Sequence, residues 1–217
     1  MGTRPVDSAY RRDRRRLIAD LRAAGIEDLA ILHAFDAVPR HRFVPEAVRH
    51  RAYENVALPL GFGQTISRPG VHALHLSLAE LTGDERVLEI GTGSGFQTAL
   101  LGVLAGDVYS IEVVPELSAL ARDRLRELGL HNVHLRTGDG SVGWPEGAPF
   151  DVILVGAAAP AIPGALVAQL AEEGRMIVPV GRARDQRLLR LRLVDGELAS
   201  EEVEGARFVP LIGEQGW

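Results

Sequence analysis

The chain has 217 residues, a net charge of −5, 46% hydrophobic residues and no cysteine. That length and apolar content suit one sizeable α/β domain with a real core. The missing cysteine excludes disulfides, thiolate metal sites and Cys nucleophiles, and all 24 basic residues are Arg, which excludes lysine Schiff-base and lysine general-base chemistry. The negative balance argues against a nucleic-acid partner despite the run Arg11, Arg12, Arg14, Arg15 and Arg16, which reads as a solvated helix face. No apolar run approaches the roughly 20 residues that span a bilayer. The Arg-rich start has no apolar stretch behind it and does not read as a secretory signal. A monomer in the cytoplasm is the expectation.

In chain order, residues 13–24 and 28–37 read as two helices. Gly25 stops the first, and Pro39 follows the second. Residues 46–52 allow one or two helical turns. The glycines and proline of 58–67 (Leu-Pro-Leu-Gly-Phe-Gly-Gln-Thr-Ile-Ser) predict an irregular loop. Residues 71–81 return to helical period, with Val71, Leu74, Leu78 and Leu81 as the apolar face. After Gly83, strands at 86–90, 107–111, 133–137, 150–155 and 175–180 alternate with helices at 95–105, 115–128 and 163–170. That alternation predicts a doubly wound, mostly parallel sheet with both faces covered. Segments 188–194 and 198–203 flank Asp195-Gly196 and predict an antiparallel hairpin at the edge. Residues 1–82 are read as a helical elaboration carrying an active-site loop, within the same domain as the core at 83–217.

The chemistry is signalled where the first core strand, Val87-Leu88-Glu89-Ile90, runs into Gly91-Thr92-Gly93-Ser94-Gly95. Glycines there let a ligand approach backbone, and Glu112 ends the next strand where a ribose diol is gripped. A dehydrogenase fingerprint carries a third glycine where this chain has Phe96, so a dinucleotide is disfavoured. The loop suits a ligand without phosphates. Gly138-Asp139-Gly140 follows the third strand and could set a carboxylate near an adenine amino group. Glu89 adds an acid just before the loop. Glu89, Gly91, Gly93, Gly95, Glu112, Asp139 and Gly140 together look like the class I S-adenosylmethionine (SAM) methyltransferase arrangement, and acids suit a sulfonium–ammonium ligand.

From about Val38 onward the chain resembles protein-L-isoaspartate O-methyltransferases. The resemblance rests on Val38-Pro39-Arg40-His41-Arg42-Phe43-Val44-Pro45, Gly63-Gln64-Thr65-Ile66-Ser67, the 88–98 segment, Ala157-Ala158-Ala159-Pro160 and Phe208-Val209-Pro210-Leu211. It implies a Rossmann-like SAM-binding core. It also implies methylation of the free α-carboxylate of isoaspartyl residues in proteins and peptides, whose ester collapses to a succinimide. Ser67 matches the family's active-site serine. From the residues alone, Ser67 reads as a helix cap instead. Thr65 and Ile66 contribute backbone to the same pocket, His72 matches a position near the cofactor, and Gln215 could reach the ligand. No metal is implied, since the pairs His72/His75 and His131/His134 have no convincing third ligand.

Overall fold

The computed structural model describes residues 8–182, 184–203 and 207–217. Two helices open it, α1 (Arg11–Ala23) and α2 (Leu29–Ala37). The Asp28 carboxylate caps α2 by accepting from Ala30 N at 2.7 Å. Short 3-10 turns follow at Arg40–Arg42 and Glu46–Arg51.

Segment 58–67 is more regular than its composition predicts. Strands β1 (Leu58–Gly61) and β2 (Gln64–Ile66) pair antiparallel as a small hairpin. Phe62 and Gly63 form its two-residue turn, both at positive φ. The glycine closes the hairpin rather than breaking a strand, and a two-stranded sheet leaves Pro59 a place on an edge.

Helix α3 (Pro69–Ala79) also departs from expectation. Its buried residues include His72, His75, Leu76 and Ala79, whereas Leu74 and Leu78 are half-buried. Val71 is buried and Leu74, Leu78 and Leu81 pack against the core as expected, and the two histidines widen the buried face beyond them.

The core alternates as expected. Strands β3 (Arg86–Ile90), β4 (Asp107–Glu112), β5 (Val133–Thr137) and β6 (Phe150–Val155) are parallel, joined in part by α4 (Phe96–Leu104) and α5 (Pro115–Glu127). The expected helix at 163–170 shrinks to α6 (Gly164–Val167), and β7 starts early, at Leu170–Val180. An irregular register near Phe150 lets Leu170 pair before the long strand proper. Strands β8 (Arg187–Val194) and β9 (Glu197–Val203) complete the antiparallel edge, turning at Asp195-Gly196 with both residues at positive φ. Glutamates on exposed β9 discourage edge-to-edge pairing.

The sheet order is β5-β4-β3-β6-β7-β8-β9. The chain moves outward from β3 to β5 and then returns to β6 on the other side of β3. This reversal opens a crevice beyond the C-terminal ends of β3, β4 and β6, the usual ligand position in such sheets. One buried cluster runs from Leu17 and Phe35 through Phe96 to Val87 and Val152, so the opening helices share apolar packing with one sheet face. The other face packs Ile90, Ile153 and Met176 against Leu166 and Leu211. Short elements cover that face in place of full helices.

Candidate functional site

The crevice at the reversal is a cleft with two recognisable ends. One end is lined by Glu89–Ser94, Ile111–Val113 and Gly140, the other by Gln64–Ser67, Val71, His72, His75 and 208–212, with Gly156 and Ala157 between them. The glycine loop starts tightly. Gly91 N donates to Ile111 O at 2.8 Å, and Gly156 N donates to Ile90 O at 2.8 Å. Gly91, Gly93 and Gly95 all hold positive φ, which a side chain would strain. Gly95 also lies under α5, where an added Cβ would come within 3.0 Å of Ala121 Cβ.

Glu112 closes this end. Its carboxylate accepts from Gly93 N at 2.6 Å and from Val114 N at 2.9 Å. Each oxygen keeps a second lone pair, and the residue lines the cleft. Glu112 therefore fixes the loop and still has acceptor capacity for a diol.

Glu89 is buried, at 1% exposure. One carboxylate oxygen accepts from Thr98 Oγ1 at 2.5 Å and Ser110 Oγ at 2.7 Å. Because Ser110 gives its proton to Glu89, the 2.6 Å contact between Thr92 Oγ1 and Ser110 Oγ has Thr92 as donor. The other Glu89 oxygen has no partner among the described residues. Burial, helped by the neighbouring Glu112 charge, pushes the Glu89 carboxyl up to about 7 against the pull of its hydrogen bonds. A cation in the cleft would favour ionised Glu89. The positive-φ glycine cradle, the acceptor capacity of Glu112 and this unpaired oxygen fit a cationic nucleoside ligand such as SAM.

At the other end, Ser67 lines the cleft. The cap position of α3 belongs to Arg68, and no side-chain cap bond forms there, so the cap reading of Ser67 fails. Thr65 and Ile66 arrive on β2 and line the same wall. Arg40, which the sequence reading passed over, positions this segment. It is 1% exposed, donates from Nε to Ala52 O at 2.8 Å and from Nη2 to Ser67 O at 2.7 Å, and lies 4.7 Å from the Phe96 ring centroid. Burial brings its guanidinium down to about 9, still charged at neutral pH.

His72 contacts Gln97 Oε1 through Nδ1 at 2.8 Å. Burial first, then the Arg40 charge, lowers it to about 3. His75 was given no ligand role by the sequence reading. It is 1% exposed, stacks on Phe208 with centroids 5.4 Å apart, and burial lowers it to about 4. Both imidazoles line the cleft and are neutral at working pH. The i, i+3 spacing was the available signal for His75.

The side chains of two expected ligand residues accept from backbone N–H groups. The Asp139 carboxylate accepts from Ser141 N and Glu214 N, both at 2.7 Å, and does not line the cleft; its neighbour Gly140 does. Partial burial raises the Asp139 carboxyl, but the bonds from Glu214 and Ser141 outweigh it and leave a lowered value. Gln215 accepts from Ala165 N at 3.0 Å through its side chain, and its backbone N–H goes to Ser141 Oγ at 2.9 Å. These two residues tie down the C-terminal segment, whose preceding residues 208–212 form a cleft wall. Asp151 lies at the opposite end of the sheet, where it accepts from Arg86 N. Among the described residues, no group of three or more His, Asp or Glu could hold a metal ion, and no helix is long and apolar enough to cross a membrane.

The chain is similar to known proteins in sequence and fold. The "Protein-L-isoaspartate O-methyltransferase 1" of Anaeromyxobacter sp. (strain Fw109-5) is 57% identical over 89% of this chain and 93% of its own length. The corresponding protein of Anaeromyxobacter dehalogenans (strain 2CP-1 / ATCC BAA-258) is 56% identical over 90% and 95%. A solved protein-L-isoaspartate O-methyltransferase superposes with a TM-score of 0.86 at 31% identity, covering 94% of this chain and 67% of that one. A Plasmodium falciparum structure described as a complex with S-adenosyl-L-homocysteine has the same fold, with a TM-score of 0.80 at 24% identity over 91% and 97%. The family model for protein-L-isoaspartate(D-aspartate) O-methyltransferase matches residues 12–216, and the chain belongs to that family.

Proposed function

We propose that Ser67 and the adjoining backbone of β2 hold the free α-carboxylate of an isoaspartyl residue in line with the methyl group of SAM. The reaction is the family's: methyl transfer from SAM to that carboxylate in damaged proteins and peptides. The bound donor supplies an activated methyl and its own leaving group. A carboxylate is already ionised at neutral pH, so no residue has to act as general base. The protein's task is alignment, which can supply roughly 7–11 kcal/mol in favourable cases.

The placement of Ser67 carries this reading. It faces the cleft, does not cap α3, and has its backbone carbonyl held by a fully buried guanidinium. A neutral hydroxyl orients a carboxylate without suppressing its nucleophilicity as an adjacent cation would. The two histidines are neutral and add no charge of their own beside Ser67. Glu112 serves the ribose and Glu89 faces the cationic part of the donor, with Gly91, Gly93 and Gly140 giving backbone-close walls. The ester product then loses methanol to attack by the neighbouring peptide nitrogen, forming a succinimide. Action as a cytoplasmic monomer without a nucleic-acid partner completes the reading, in keeping with the net charge of −5.

Replacing Ser67 by Ala tests the assignment. The expected result is a kcat lowered at least tenfold with S-adenosylhomocysteine affinity within twofold of the parent, the pattern of an interaction made chiefly in the transition state. An unchanged kcat would remove Ser67 from the chemistry.

A further inference from the structure

Beside Ser67 the cleft opens into a second, shallower groove. Ala57, Thr65, Ser67, Arg68, Val71 and Arg207 line it, and Thr65, Ser67 and Val71 belong to both. The groove therefore begins at the residue placed next to the reacting carboxylate. Among the described residues it presents two guanidiniums and no carboxylate. Arg68 and Arg207 are exposed, and neither side chain has an ion pair or hydrogen bond among the described residues. Arg68 sits at the cap position of α3 without making a cap bond, so its side chain has no evident structural task. In a chain of net charge −5, two unengaged cations at the mouth of the site run against the overall balance. The cleft acids do not offset them locally. Glu112 and Glu89 line the far, glycine-loop end, and Glu112 is tied to backbone N–H groups.

The groove is continuous with the cleft through Thr65, Ser67 and Val71, so it offers a polypeptide whose isoaspartyl residue reaches Ser67 a path outward. Each extended residue advances at most about 3.6 Å, so side chains within two or three positions of the reacting residue fall over the groove. Guanidinium groups match carboxylates geometrically and bind them as charge-assisted donors. We propose that the Arg68/Arg207 groove is a flank subsite that favours substrates with an acidic side chain within three residues of the isoaspartyl residue. This inference rests on the function proposed above and adds a sequence preference to it. Because both arginines are exposed, the preference is modest, acts mainly through KM, and is screened by salt.

The test uses isoaspartyl peptides of one length that carry Glu, Gln or Lys at a single position two residues before or two residues after the isoaspartate. In low salt the expected kcat/KM for Glu exceeds that for Gln by three- to tenfold on at least one side, and Lys falls below Gln. The difference lies in KM and shrinks in 0.5 M NaCl. In the double variant Arg68→Gln/Arg207→Gln the Glu-to-Gln ratio falls toward one, while S-adenosylhomocysteine affinity stays at the parent value and reports an intact cofactor end. A parent ratio near one on both sides in low salt, or a ratio that persists in the double variant, overturns the subsite. A parent enzyme that methylates none of these peptides contradicts the function itself, which keeps the two failures distinct.

Discussion

Glu89 links the stability of the protein to the affinity of its cleft for a cation. In the fold its carboxyl rises from the ordinary 4.5 to about 7 because it is buried and lies near the Glu112 charge. A carboxyl displaced that far resists ionisation by about 3 kcal/mol. The folded value lies above the unfolded one, so the contribution is fully present below about 4.5 and is lost as pH rises through about 7. Urea unfolding of the ligand-free protein and of Glu89→Gln, at pH 5 and at pH 8, isolates it. The amide cannot ionise, so the stability difference between the variant and the parent should move by about 2–3 kcal/mol in the variant's favour between the two pH values. Titrating groups that do not interact with Glu89 cancel in this comparison. Ligand binding has the opposite sign. A cation needs the ionised carboxylate, so parent affinity for SAM should fall as pH drops below 7, while the Gln variant stays flat. Parallel pH–stability curves for parent and variant would refute the reasoning.

Two further substitutions test the scaffolding. Glu112→Ala removes the diol acceptor and strands Gly93 N and Val114 N, so calorimetry should show cofactor affinity weakened by about 1.5–3 kcal/mol; parent-like binding would exclude Glu112 as ribose ligand. Arg40→Met keeps much of the bulk but leaves the carbonyls of Ala52 and Ser67 without their donor, so denaturant unfolding should show a loss of about 2–4 kcal/mol. Its residual kcat should fall as well, since Ser67 loses its anchor; a stable, fully active Arg40→Met would show that Ser67 is positioned by other means.

Most of the sheet was legible because its strands are short apolar runs bounded by turn residues, and buried parallel strands read that way. Asp195-Gly196 marked its hairpin because the turn needs two positive-φ residues. The same chemistry was missed at Phe62-Gly63, where a phenylalanine holds one of those positions and conceals the turn. Helix α3 was recognised as a helix, and Val71, Leu74, Leu78 and Leu81 do pack inward, but its buried face is wider than expected because a hydropathy count treats His72 and His75 as polar. Burial keeps both imidazoles neutral and lets them pack as core. The glycine loop, Glu89 and Glu112 could be read from their position at strand ends. Asp139 and Gln215 could not be placed, because a carboxylate or amide in a loop can serve a ligand or a backbone N–H equally well; here Asp139 accepts from Glu214 N and the Gln215 amide from Ala165 N. Arg40 left little trace, since its partners are backbone carbonyls distant in sequence.

The central claim is that the site aligns the α-carboxylate of an isoaspartyl residue and not the side-chain carboxylate of an ordinary aspartate. An isoaspartyl linkage leaves its free carboxylate one methylene closer to the main chain, and about 1 Å of misplacement costs on the order of a hundredfold in rate. The most direct measurement is kcat/KM with labelled SAM for two peptides identical except for that linkage. The account predicts a preference for the isoaspartyl peptide of at least about a hundredfold. Equal methylation of the two peptides would contradict it.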